Sequence, residues 1–264
     1  MRDPHVEAVY FKVSSGEGIS YKDPEPLSFS NHLGDFYLVD GELKVVPNEH
    51  FGSGQEASQA IEPFLRAWEI EADLKRNLGT IRFTYSRADE VDRNPPLPGE
   101  SQVVYLKGCA AITIGASAHC HMVLKRYPEP PEHFSASEYA QYAYRRWLGY
   151  RNGSEPLLAM AYFILTLLER QAGSRANACI LFNVERKVLD RFGSWCSERG
   201  SVLTARKAKS TDFDDLSHIE KEWLERAAKR LIFRLGEQVS GQPLDQITGA
   251  MFVGADGKLT HPAD

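Results

Sequence analysis

Hydrophobic and polar residues alternate along the first half of the chain in the pattern of half-buried β-strands. The segment VEAVYFKV, from Val6 to Val13, is rich in β-branched and aromatic residues, and DFYLVDGELKVV places Asp40-Gly41 between two alternating runs. An Asp-Gly pair supplies the positive φ angles of a tight hairpin turn. These segments therefore predict strands of an antiparallel sheet.

One helical segment interrupts the alternation. Ser53 and Glu56 have the spacing of a capping box, in which each side chain accepts a hydrogen bond from the other residue's backbone N–H. Pro63 is expected to bend or end this helix near Ile61, unless Glu62-Pro63 opens a separate turn.

The rest of the first half alternates again. EIEADL and TIRFTYSRA, joined by a short loop ending at Gly79, predict a hairpin, and QVVYLKGCAAITIG and SAHCHMVLKR predict two strands beyond the exposed connection RNPPLPGE. The first half thus predicts six or seven strands and one helix, arranged as an antiparallel sheet with the helix on one face.

The apolar period changes from two residues to about 3.6 after the prolines of RYPEPPEHF, and four helices are predicted from there on. Their predicted starts are Ser135 with Glu138, Ser154, about Ser174, and Ser217 with Glu220. Tyr142 in the first, Ile180 in the third and Ile219 in the fourth are expected to face the core.

We therefore expect an α+β protein. It has an N-terminal antiparallel β-rich domain with one helix at residues 1–127, a C-terminal four-helix bundle at residues 133–238, and a peripheral tail at residues 239–264. The apolar part of the second bundle helix, Leu157 to Leu168, is 12 residues long. A bilayer crossing needs roughly 20 residues, so we expect no membrane association.

Charge and cysteine content narrow the class of protein. Residues 1–132 carry 13 Lys and Arg against 20 Asp and Glu, and the rest of the chain carries 18 against 16. The second half is thus only slightly basic, well short of the basic surface typical of nucleic-acid modules. Four cysteines without the spacing of a disulfide framework, and a start without the pattern of a signal peptide, favour a cytoplasmic protein.

The segment SAHCHMV suggests a metal site. His119 and His121 are two residues apart and share one face of a strand, and Cys109 or Cys120 could add a thiolate. The alternation places Cys120 on the opposite face, and no C-x-x-C pair accompanies the histidines. The pattern is therefore more typical of ordinary strand residues, with His119, His121 and Cys109 as the metal-ligand alternative.

Two other segments have residues that could bind a ligand, but each also has a simpler structural explanation. GSGQEA resembles a phosphate-binding loop, but it lacks the Lys-Ser/Thr of a P-loop and the third glycine of a dinucleotide-binding motif. Asp89, Glu90 and Asp92 could hold Mg²⁺, although acidic residues at a strand end are commonly solvated. We expect no cofactor from either segment.

The order of helices over residues 135–237, with ARKAK and a polar loop before the last helix, resembles the HEPN superfamily. The resemblance implies a four-helix bundle, often a metal-independent ribonuclease or an accessory protein in bacterial defence or toxin systems, in which two chains bring together an Arg and a His near the start of the final helix. In this chain these positions correspond to Arg206 and His218. Eleven residues lie between them, more than the family's motif has.

Two hypotheses of function follow. The first is a non-catalytic, cytoplasmic binding or regulatory protein, because none of the motifs supplies a complete active site. The alternative is a HEPN-type ribonuclease or an inactive relative, with His218 as general base toward a ribose hydroxyl and Arg206 stabilising the phosphorane charge. The partner would be a protein or an RNA, and a homodimer is compatible with both hypotheses.

Overall fold

The structure is a computed structural model that describes residues 3–16, 18–76, 79–94, 122–200 and 215–252. The chain divides into two compact units, Met1–Pro131 and Glu132–Asp264. The described part of the first contains an antiparallel sheet and one long helix, and that of the second is helical, so the predicted α+β class is confirmed. Whether residues 1–127 and 133–238 fold as independent domains, with residues 239–264 as a peripheral tail, stays a prediction.

The described residues of the first unit form a five-stranded antiparallel sheet. Its strands in chain order are β1 (Pro4–Ser14), β3 (Leu27–Asn31), β4 (Gly34–Val39), β5 (Glu42–Pro47) and β6 (Arg82–Asp92), and they lie side by side in the order β3-β4-β5-β1-β6. The predicted hairpin at Asp40-Gly41 joins β4 and β5, with Asp40 at φ 47° and Gly41 at φ 77°. A separate pair, β2 (Ile19–Glu25) and β7 (Met122–Arg126), is parallel.

One helix, α1 (Gly54–Lys75), packs on the sheet. Its apolar positions, among them Ile61, Leu65 and Trp68, share a buried core with Val9, Phe36, Leu38 and Val45 of the sheet. Pro63 neither ends nor interrupts the helix, contrary to the prediction, because it is exposed while apolar residues on both sides of it bind the helix to the sheet.

The strand predicted over EIEADL is wrong, since these residues form the last turns of α1. The carboxylates of Glu69 and Asp73 are buried together with their apolar neighbours. Glu69 accepts a hydrogen bond from the backbone N–H of Phe83 at 2.9 Å, and Asp73 accepts one from that of Thr80 at 3.2 Å. Polar and apolar residues of this segment are both buried. Their alternation therefore does not reflect the buried and exposed faces of a strand, which is why the prediction failed.

The described part of the second unit contains five α-helices where four were predicted. They are α2 (Glu138–Arg151), α3 (Leu157–Ala172), α4 (Arg175–Leu181), α5 (Arg186–Glu198) and α6 (His218–Glu237), followed by the short 3-10 segments Gln238–Ser240 and Gly249–Phe252. The third predicted helix divides at Asn183, which has φ 46°. The buried guanidinium of Arg234 donates hydrogen bonds to the backbone carbonyls of Phe182 and Asn183. These bonds stabilise the break between α4 and α5.

Helix starts and core positions also differ in detail from the sequence predictions. The side chain of Ser137, not Ser135, caps α2, and α3 begins after Pro156 without a side-chain cap. Ile180 is 81% exposed and Ile219 60% exposed, so the prediction that they face the core is wrong. Tyr142 is likewise exposed, and Tyr144 occupies the core of the unit.

The predicted strand QVVYLKGCAAITIG lies outside the described residues. Of SAHCHMVLKR the structure describes only the last part, β7.

Candidate functional site

His218 lies at the first position of α6 and is exposed. The preceding residue, Ser217, forms the predicted capping box with Glu220: Glu220 N–H donates to the Ser217 hydroxyl at 3.2 Å, and Ser217 N–H donates to the Glu220 carboxylate at 2.8 Å. Arg206, the other predicted catalytic residue, lies outside the described residues. The geometry of the Arg206–His218 pair therefore stays a prediction.

A cleft of about 410 Å³ lies near the start of α6. It is lined by Tyr150, Pro156, Leu157, Leu158, Gly200, Asp215, Leu216 and Lys221. The Tyr150 hydroxyl donates to Glu225, and partial burial followed by this hydrogen bond raises the pKa of Tyr150. Burial, and then the positive charge of Arg151, lowers the pKa of Lys229 on the same helix as Glu225. His218 is not among the lining residues, so the cleft does not bring it to a second reactive group.

The predicted metal ligands His119, His121 and Cys109 lie outside the described residues. Within the described part of the chain, no group of three or more His, Cys, Asp and Glu side chains has the geometry of a metal site. Two histidines that the sequence reasoning did not select, His5 and His50, stack with their Nδ1 atoms 2.9 Å apart. Arg93 approaches the Nε2 atom of His5 at 2.7 Å, so both ring nitrogens of His5 already have protein partners.

The GSGQEA segment and the carboxylates of Asp89, Glu90 and Asp92 have structural roles at the start of α1 and along β6. Gly54 N–H, at the start of α1, donates to Glu90 at 2.7 Å, and Gly52 N–H donates to Glu56 at 3.0 Å. Protein carboxylates thus occupy the place that a phosphate would take. Asp92 accepts from the backbone N–H of Asp3, so the Asp89–Glu90–Asp92 group is divided among different partners.

A second cleft, of about 390 Å³, lies between α1 and the adjoining edge of β6. It is lined by Phe11, Ser58, Glu62, Leu65, Arg66, Glu69, Phe83 and Tyr85. Its buried carboxylate, Glu69, already binds Arg66 at 2.8 Å and the N–H of Phe83. This carboxylate therefore has a structural role in holding β6 against α1.

The side of the sheet opposite α1, called here the open face, has the strongest features of a binding surface. The pairing register places Ser28, Tyr37, Lys44, Tyr10 and Arg87 in one row across all five strands, and Val39, Glu42, Lys12 and Thr84 in the next. Tyr37 and Val39 are each 44% exposed. Exposed aromatic and aliphatic side chains thus lie beside both acidic and basic groups.

An ordered network occupies one half of the open face. The guanidinium of Arg87 lies over the ring of Tyr10, 3.4 Å from its centroid, and the Tyr10 hydroxyl donates to Asp89 at 2.7 Å. Arg87 also binds Asp89 at 3.0 Å and Glu42 at 3.5 Å. Because these contacts already hold the guanidinium of Arg87 in place, its side chain loses little conformational freedom when a partner covers it.

The sequence contains a signal for the open face. In Phe36-Tyr37-Leu38-Val39 the outward positions are as apolar as the inward ones, whereas a solvated face carries polar residues there. The position of Arg87 over Tyr10 could not be found in this way, because it depends on the cross-strand register and on the irregularity between Tyr10 and Phe11.

None of the helices in the described ranges has both the length and the apolar composition needed to cross a bilayer. Comparisons with family models, with characterised proteins and with solved structures find no match to this chain.

Proposed function

We propose that this chain is a binding or regulatory protein that recognises a protein partner through the open face of its sheet. The observation that carries the proposal is that exposed Tyr37 and Val39 lie on the same face of the sheet as the ordered Arg87–Tyr10 pair, with Lys44 between Tyr37 and Tyr10. Tyr and Arg are enriched among the residues that dominate binding energy at protein interfaces. The proposal includes a cytoplasmic location, which the cysteine spacing of the sequence favours.

The charge of the open face favours a protein over an RNA. Lys12, Lys44 and Arg87 are its cations, and Glu42 and Asp89 both bind Arg87. A surface that follows a phosphate backbone needs an excess of cations that are free to bind phosphates. The mixed pattern is instead complementary to a protein surface that carries both signs of charge.

A photo-reactive amino acid tests the proposal directly. Benzoyl-phenylalanine in place of Tyr37 should cross-link a protein partner in cells, because residue 37 would lie inside the interface. The same amino acid in place of Ile180 is the control, since Ile180 is even more exposed but lies in the second unit. Cross-linking at position 37 to no protein, to RNA, or to the same proteins as at position 180 would contradict the proposal.

A second candidate function is metal-independent RNA cleavage by a HEPN-like helical unit. It is supported by the exposed His218 at the start of α6, the position that the resemblance implies for the catalytic histidine. On this proposal the chain cleaves RNA in the presence of a chelator, and His218→Ala abolishes the cleavage. Lys221→Ala, one turn further along α6, is the control and should retain it. No cleavage by the unmodified chain, or full cleavage by His218→Ala, would remove this candidate.

A further inference from the structure

The two outer edges of the five-stranded sheet are built differently. The β6 edge carries Arg82, Arg87, Asp89, Glu90 and Asp92, and its pairing with β1 is irregular at two places. Glu69 of α1 also accepts the outward N–H of Phe83, on the side of β6 away from β1. Charges, irregular pairing and a covering helix are the features by which proteins prevent a sheet edge from pairing with another strand.

Within the described ranges, the β3 edge has none of these features along its length. Its sequence, LSFSN, contains no charged residue and no proline, and its register with β4 is regular from Leu27 to Asn31. Among the described residues, β4 is the one strand that pairs with β3. The side chains of Leu27 and Phe29, on the α1 side of this edge, are only partly buried.

The register fixes which backbone groups of β3 point outward. The turn at residues 32–33 closes on the pair Asn31 and Gly34, and in a two-residue hairpin the closing pair exchanges both its hydrogen bonds. Hydrogen-bonded pairs alternate along an antiparallel ladder, so Leu27 and Phe29 also bond to β4. The N–H and C=O groups of Ser28 and Ser30 therefore point away from the sheet.

This arrangement is complementary to itself. If two β3 strands meet antiparallel around a two-fold axis at Phe29, Ser28 of each copy lies opposite Ser30 of the other. Both pairs can exchange N–H···O bonds, and their small neutral side chains do not repel. The two Phe29 rings become neighbours in the closer, non-hydrogen-bonded pair, on the side where the Phe64 ring of α1 lies 6.0 Å from that of Phe29.

We propose that two copies of this chain form a homodimer through antiparallel pairing of their β3 strands. The outward groups of Ser28 and Ser30 supply the hydrogen bonds, and the partly exposed Leu27, Phe29 and Phe64 supply apolar area. The dimer joins the two sheets and extends the open face across both copies. The inference rests on the edge of the sheet, independently of the function proposed for its face.

Sedimentation equilibrium over a concentration series tests the dimer, and the mass of the unmodified chain should approach twice 29.7 kDa. Ser28→Lys/Ser30→Lys places like charges opposite each other in both pairs, so the dissociation constant of the dimer should rise more than about tenfold. Ser28→Glu/Ser30→Lys instead places opposite charges in both pairs and should dimerise as the unmodified chain does. Ser14→Lys/Thr84→Lys adds two lysines at exposed positions away from β3 and should also leave the dimer intact.

Circular dichroism of each variant establishes that it is folded before its mass is interpreted. A monomer at every concentration of the unmodified chain would overturn the proposal. So would a dimer that Ser28→Lys/Ser30→Lys forms as tightly as the unmodified chain, because β3 would then lie outside the interface.

Discussion

Individual buried carboxylates connect α1 to the sheet. Asp73 is 2% exposed, binds the guanidinium of Arg82 at 2.5 Å and accepts the backbone N–H of Thr80. The loop that leads into β6 is thus fastened to the helix by an ion pair and a backbone hydrogen bond. Removing one partner leaves the other polar groups buried without a hydrogen-bond partner. The loss of folding free energy therefore exceeds the net contribution of the ion pair.

Asp73→Ala should therefore lower the free energy of unfolding by about 3 kcal/mol, since it leaves a buried N–H and a partly buried guanidinium without this acceptor. Urea denaturation measures the change. Glu62→Ala, at an exposed position of the same helix, should alter the free energy by less than about 0.5 kcal/mol. Equal effects of the two substitutions would show that Asp73 contributes no more than a surface residue.

Secondary-structure elements differ in how much of their geometry is local. Ser217 and Glu220 each accept the other's backbone N–H within one turn at the start of α6, and the Asp40-Gly41 hairpin needs only its own φ angles, so the sequence predicts both correctly. The break at Asn183 depends on Arg234, which is distant in sequence, and the continuation of α1 past Pro63 depends on packing against the sheet. Such tertiary contacts leave no local pattern, which is why the sequence predicted these two elements wrongly.

The open face and the β3 edge are likewise predictable from the sequence only in part. Alternation identifies Tyr37 and Val39 as outward residues of one strand, but the neighbours of Tyr37 across the sheet follow only from the register. The uncharged β3 edge can be recognised in the sequence once its position at the border of the sheet is known.

The capping box of α6 makes a prediction about pH. The hydrogen bond from Ser217 N–H, with a further contribution from Arg199, lowers the pKa of Glu220 below its ordinary value of 4.5. The folded state therefore binds this proton less readily than the unfolded state. The resulting stabilisation is complete above the ordinary pKa and is lost as the pH falls through the lowered pKa.

Glu220→Gln keeps an acceptor for Ser217 N–H but removes the charge. At pH 7 it should lower the free energy of unfolding by about 0.5–1 kcal/mol, and the difference from the unmodified chain should shrink as the pH falls through the lowered pKa of Glu220. Urea unfolding curves recorded from neutral to acidic pH measure the difference. A difference that does not change with pH would mean that the charge of Glu220 is not the stabilising feature.

At the scale of the whole molecule, the boundary between the units can be tested with fragments. Pro128 O accepts the indole N–H of the buried Trp68 at 3.0 Å, and Tyr127 belongs to the core of the first unit. A fragment of residues 1–131 should therefore unfold cooperatively. A fragment ending at residue 127 should be less stable by about 1 kcal/mol, the usual value of one such hydrogen bond. Equal thermal unfolding of the two fragments would place the boundary at residue 127, as the sequence predicts.

The open face gives the whole chain its proposed role, because it presents Tyr37, Val39 and the ordered Arg87 together on one side of a rigid sheet. Substitutions on this face test the role without affecting the core, which lies on the α1 side. Tyr37→Ser/Val39→Ser removes the exposed apolar groups and should leave the fold intact, since neither side chain belongs to the buried cluster.

The most direct test is the dissociation constant for the protein cross-linked at position 37, measured by titration calorimetry. Tyr37→Ser/Val39→Ser should weaken this complex by at least about tenfold, because aromatic residues at the centre of an interface dominate its binding energy. Ile180→Ser, which removes an even more exposed apolar side chain from the second unit, should leave the affinity unchanged. An affinity of Tyr37→Ser/Val39→Ser equal to that of the unmodified chain would contradict a binding role for the open face.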